Sequence, residues 1–177
     1  MASRLIIFLF IVFTIDGFSQ GLMEDKLLPT RQDSLRGSIT PERKWWDLTY
    51  YHLDIKVEPD KKFISGSNTV GYKVLKSYKT MQIDLQEPME ITSVIANGMP
   101  LKFNREGNAY FIELKSKQKK NEVNYLEIFY EGFPKEAIRA PWDGGLSWTK
   151  DDNGNHFIAT SCQGLGASVW WPNKDHM

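Results

Sequence analysis

From Tyr50 onward the apolar positions recur with a period of two. Leu53, Ile55 and Val57 alternate with His52, Asp54 and Lys56. That spacing puts one set of side chains on each face of an extended chain, so it predicts a half-buried strand. Glu58-Pro59-Asp60-Lys61 has turn chemistry, and a second run follows through Phe63, Ile64, Val70, Tyr72 and Val74. Gly66 and Gly71 inside that run predict bulges or a close approach of backbone. Met81, Ile83 and Leu85 alternate with Gln82 and Asp84, which places those two polar residues on the opposite face. Ile91 to Ile95 is a further strand, and Asn97-Gly98 is a strong signal for a two-residue hairpin turn. The chain returns through Pro100 to Phe103, and strands are predicted over Tyr110 to Leu114 and Asn124 to Tyr130. Sustained helical periodicity is missing here. Many short strands with regular turns predict an all-β domain, either an antiparallel β-sandwich or open β-sheets.

The flanks differ. Arg4 precedes an apolar run from Leu5 to Ile15, followed by Asp16-Gly17-Phe18-Ser19-Gln20. A transmembrane helix needs about 20 apolar residues; this shorter run in this order predicts an export signal over residues 1–20, cut after Ser19 or Gln20. Export places the protein in the periplasm or outside the cell. Residues 21–44 are polar and mixed, which predicts an extended arm. Within it, Thr40-Pro41-Glu42-Arg43 has the N-cap and first-turn residues of a short helical turn. Residues 45–177 form the β-domain. Removing the signal leaves a chain of ordinary one-domain size.

Composition narrows the chemistry. Lys plus Arg and Asp plus Glu are 22 each, so the formal net charge is zero and no basic patch points to nucleic acid. The only cysteine, Cys162, excludes an internal disulfide, and no basic neighbour in sequence marks it as a nucleophile. The three histidines, His52, His156 and His176, lack the H-E-x-x-H spacing of a zinc helix. Nucleophile elbow, phosphate loop and dinucleotide fingerprint are also missing. Asp143, Asp151 and Asp152 lack calcium-loop spacing and fit turns instead. His52 belongs to the polar face of its strand. Trp142, Trp148, Trp170 and Trp171 crowd the C-terminal third. Large rings with a polar N–H suit interfaces and pocket walls. The residues alone therefore describe an exported β-rich domain with an aromatic edge.

The order of several segments resembles the N-terminal β-domain of the aminopeptidase N-like zinc aminopeptidases. They are Tyr51-His52-Leu53-Asp54-Ile55, Phe63-Ile64-Ser65-Gly66, Ile91 to Val94 with Asn97-Gly98, and Leu126 to Pro134. Pro141 to Gly145, Thr160-Ser161-Cys162-Gln163, and the W-x-P-x-x-D-like stretch Gly166 to Asp175 complete the series. The resemblance covers about residues 35–177, and Leu35 to Ser38 and Trp45-Trp46-Asp47 are similar to exported bacterial members. It implies saddle-like open sheets that pack, through the Trp-rich edge, on a thermolysin-like catalytic domain carrying zinc and the glutamate base. Those motifs are not in this sequence, so the chain is expected to be a piece ending before the catalytic domain, inactive by itself. One functional position carries over. Gln163 matches the family's Gln or Glu that helps bind the free α-amine of a peptide substrate. No metal ligand and no catalytic residue is carried over, and peptides are the implied substrates. The alternative is a stand-alone secreted β-sandwich that binds a carbohydrate or a protein through its tryptophans. Nothing favours a bifunctional member with epoxide hydrolase activity.

Overall fold

The computed structural model describes residues 28–176. The predicted export signal and the first part of the predicted arm lie outside them. Ten strands follow two short helices: β1 (Trp46–Glu58), β2 (Phe63–Val74), β3 (Thr80–Asp84), β4 (Glu90–Ala96), β5 (Met99–Pro100), β6 (Lys102–Glu106), β7 (Ala109–Glu113), β8 (Val123–Gly132), β9 (Gly145–Lys150) and β10 (His156–Ser161). They build a five-stranded sheet in the order β1-β2-β8-β4-β5, a three-stranded sheet β3-β7-β6, and the β9–β10 ribbon. Every strand ladder is antiparallel, as the alternating pattern requires. The chain changes sheet just after β5, where buried Leu101 donates its N–H to Val94 O at 2.9 Å.

The predicted turn signals act as expected. Asn97 and Gly98 both have positive φ (51° and 71°), the geometry that joins β4 to β5 with two residues. Gly66 pairs with Ile55, and a Cβ there would lie 2.1 Å from Asp54 O, so only glycine lets β1 and β2 meet. Gly71 sits opposite the irregularity between Leu48 and Tyr50.

The two larger sheets enclose one apolar core. Val70, Val74, Ile83, Ile112 and Ile128 have no exposed surface. The core begins earlier than the alternation does. Trp45 and Trp46 are buried and meet Tyr72 edge-on at 5.7 and 5.9 Å. Their indole N–H groups donate to Thr80 O (2.7 Å) and Glu42 O (3.0 Å), which removes the cost of burying them.

Two expectations are corrected. Residues 31–44 are not an extended arm: they form α1 (Arg31–Gly37) and α2 (Pro41–Lys44), the second being the expected turn. Thr30 caps α1 reciprocally with Asp33, and Leu35 is buried. The second correction follows from the first. Gln82 and Asp84 were expected on the polar face of β3, yet both are buried, because the helices and the C-terminal segment cover that face. Arg43 of α2, itself fully buried, reaches Asp84 at 2.6 Å. Gln82 accepts from Thr40 (2.7 Å) and donates to Leu35 O (3.1 Å) and Asp84 (3.0 Å). Most polar groups shut from water in this way are paired, which is what makes their burial tolerable, although Arg43 Nε has no hydrogen-bond partner.

Candidate functional site

β10 ends at Ser161, and the chain then turns sharply. Cys162 O accepts from the N–H groups of Leu165 (3.2 Å) and Gly166 (2.9 Å), and Gln163 stands exposed at the tip between them. Its position beyond the strand end keeps it out of the β9–β10 ladder. Gly164 and Gly166 hold φ of 69° and 79°, where a side chain is strained. At Gly166 there is also no room, since a Cβ would lie 2.4 Å from Asp175 Oδ2.

The turn is held from both sides. The Arg36 guanidinium of α1 donates to Gly164 O. Gln86 Nε2 donates to Leu165 O at 2.5 Å and to Ser168 Oγ at 2.8 Å. Between α1 and the turn lies a cleft lined by Arg36, Gly37, Gly164, Leu165 and Asp175 among others. A second cleft, of about 200 Å³, lies beneath α1 and is lined by Arg36, Arg43, Asp84, Gln86, Ser168 and Asp175 among others. Burial pushes the Asp84 carboxyl above its ordinary value, while the Arg43 guanidinium and the hydrogen bonds from Gln82 and Asp175 pull it back.

The segment after the turn is stitched to both sheets. Pro172 O accepts from buried Asn68 of β2 (2.8 Å), and Asn173 pairs its backbone with Asp84 of β3. Lys174 donates its N–H to the Tyr51 hydroxyl (2.8 Å) and its ammonium to Trp46 O (2.7 Å), with Nζ 4.3 Å from the Trp46 ring centre. Burial lowers the Lys174 ammonium below its usual range and pushes Tyr51 up to about 12. Asp175 donates its N–H to Asp84 (3.1 Å) and accepts from Ser168 (2.6 Å), which folds the stretch back beside Gly166.

The four late tryptophans do not share one environment. Trp148, Trp170 and Trp171 pack partly against the core, and Trp171 meets Tyr51 edge-on at 4.9 Å. Only Trp142 of the four is largely exposed, at 76%. His52 is exposed and stacks on Tyr50, whereas His156 lies 3.3 Å from Asp60. Asp143 and Asp151 are turn-builders. The first accepts from the N–H groups of Ile138 and Arg139 (2.6 and 2.7 Å), the second from those of Asn153 and Asn155. Among the described residues no three His, Cys, Asp or Glu side chains gather where a metal ion could be held. Cys162 is a free, exposed thiol.

Sequence reasoning missed Arg36, Arg43, Asp84 and Gln86, which hold this region together. The one available signal was Thr30-Arg31-Gln32-Asp33, a capping-box pattern that announces α1.

No protein-family model matches the sequence, and no curated protein matches it. Solved structures do match the fold. The M1 zinc metallopeptidase from Deinococcus radiodurans aligns with a TM-score of 0.58 at 19% identity, over 75% of this chain and 30% of that one. Its E323A mutant bound to a Tyr-Ser-Ala substrate aligns at 0.57 and 20% identity, over 80% of this chain and 32% of that one. Native yeast LTA4 hydrolase aligns at 0.58 and 19% identity, over 84% and 25%. The chain thus spans less than a third of the length of each of these neighbours. The expected resemblance to zinc aminopeptidases holds at the level of the fold.

Proposed function

We propose that this chain is the N-terminal β-domain of an exported zinc aminopeptidase, working in the periplasm or outside the cell. In such an enzyme zinc polarises the scissile carbonyl and activates water. Because the described residues hold no metal-ligand set, their contribution is to bind and orient. Gln163 is the residue that touches substrate. Its neutral amide oxygen accepts a hydrogen bond from the peptide's free α-ammonium and so fixes where the first peptide bond lies. The half-buried rings of Trp170 and Trp171 leave an edge against which the catalytic domain packs. The observation that carries this reading is the exposed Gln163 on a built turn, within a fold shared with M1 zinc metallopeptidases.

The test has two arms. The 177-residue chain with added zinc should hydrolyse no aminoacyl or peptide substrate. The reading frame should continue beyond Met177 into an H-E-x-x-H segment, and the longer protein should remove N-terminal residues from peptides. Replacing Gln163 by Met in that protein should raise KM about 10- to 100-fold, as loss of a hydrogen bond to a charged group implies. Turnover by the short chain alone would sink the proposal. A stop codon at that point would favour the stand-alone binding module.

A further inference from the structure

We infer that Arg36 is a positioning residue for Gln163, and that α1 is the element through which it acts. The inference rests on the reading of Gln163 as the substrate-contacting residue and concerns how that residue is held. The turn itself is poorly determined by local forces. Gly164 and Gly166 both sit at positive φ, and glycine visits such conformations about as readily as their mirror images. Two backbone hydrogen bonds to Cys162 O close the turn, and neither involves the N–H or the carbonyl of Gln163. The restraint comes from outside. Arg36 grips Gly164 O, one residue past Gln163, and Gln86 grips the next carbonyl, that of Leu165. The Leu165 side chain also lies against Gly144, where an added Cβ would be 2.6 Å away.

A long arginine restrains a loop only if its own base is fixed, and here it is. Thr30 and Asp33 cap α1 reciprocally. Arg31 makes a two-pronged ion pair with Glu106 of β6, at 2.9 and 3.1 Å. Leu35 is buried, and its carbonyl accepts from buried Gln82. The helix is therefore tied to the three-stranded sheet along its length, and Arg36 carries that fixity across the cleft to the turn. Planar donors held on a rigid element lose less on each hydrogen bond than a free side chain does.

Cys162 supplies the reporter, since it is the only cysteine, is exposed, and adjoins Gln163. A nitroxide attached to it in the full chain should give a motionally restricted electron paramagnetic resonance spectrum. In Arg36→Met the restricted component should be lost while the far-ultraviolet circular dichroism and thermal midpoint stay those of the parent. Arg36→Lys, whose ammonium can also reach the carbonyl, should restore it in part. Glu106→Gln weakens the far anchor of α1 without touching the turn and should loosen the label too; it decides the matter if Arg36→Met fails to fold. Spectra of Arg36→Met that superimpose on the parent's, or a loosening that lysine does not reverse, overturn the assignment. A loosened label together with an unchanged peptide KM in Gln163→Met would sink the amine-binding reading and leave the Arg36 restraint standing.

Discussion

Replacing Arg43 by Met should cost this domain a large share of its stability, by an amount that depends on pH. Met keeps the volume of the arginine stem but removes the charge. What it leaves behind is the Asp84 carboxylate, 7% exposed, whose partner stood 2.6 Å away. Two hydrogen bonds to backbone go as well, both from Nη1, to Ser38 O and Arg36 O. Removing one member of a buried ion pair typically costs about 3–5 kcal/mol, against a total of about 5–15 kcal/mol for a domain. Burial already raises the Asp84 carboxyl, and Arg43 is the chief influence pulling it down. Without Arg43 the carboxyl rises further. A carboxyl raised in the folded state contributes stability that is full at acid pH and is lost as pH rises through the folded value. The deficit of Arg43→Met should therefore be smallest in acid and grow toward neutrality, at up to about 1.4 kcal/mol per pH unit for one proton. It should level off once the variant's Asp84 ionises. Urea unfolding followed by tryptophan fluorescence at a series of pH values measures this directly. Adding Asp84→Asn to the variant should flatten the pH dependence. A deficit below about 1 kcal/mol, or one equal at every pH, would refute the argument that this pair is a buried, coupled charge site.

Two further outcomes follow from the geometry. Gly66→Ala should lower the thermal midpoint by roughly 4–8 °C, from about 2 kcal/mol of overpacking against a backbone oxygen. Gly37→Ala, with nothing within 4 Å of the added Cβ, should be neutral or stabilising, and equal effects at both positions would contradict the packing account. In alkali, burial holds Tyr51 and Tyr72 up at about 12, against an ordinary 10.0. Their contribution to stability is full below the ordinary value and lost as pH rises through the raised one. Phenolate absorbance removed by Tyr51→Phe and Tyr72→Phe should thus appear late and together with unfolding; its appearance in the ordinary range with the fold intact would count against their burial.

The sheets were legible because burial on one face imposes a period of two, and Asn97-Gly98 and Gly66 are residues whose backbone demands are visible without a structure. The face of β3 carrying Gln82 and Asp84 was not legible. Alternation reports only that two faces differ, and a polar face over buried Arg43 has the same spelling as one over water. α1 escaped notice because its seven residues, R-Q-D-S-L-R-G, contain one apolar position and no periodicity. Only its capping box betrays it. Gln163 was singled out through its neighbours in the sequence order, and its part in binding substrate is our proposal, whereas the groups that hold its turn are far away in the chain. Arg36 and Gln86 have no local signature for such a role. Trp170 and Trp171 were expected as packing for a domain interface, and the structure shows both partly buried against this domain's own core.

The stitching of the C-terminal segment to both sheets also sets an order of events in time. Pro172 is bonded to a residue 104 positions earlier, Asp175 to one 91 positions earlier, and Lys174 to one 128 positions earlier. Contacts over such spans are made only after large loops close, so they form slowly and late. A nascent chain elongating at roughly 5–20 residues per second would carry β1 to β8 for several seconds before the residues that seal Asp84 and Asn68 exist. Until then the polar face of β3 has no cover, and the growing polypeptide stays short of its native state.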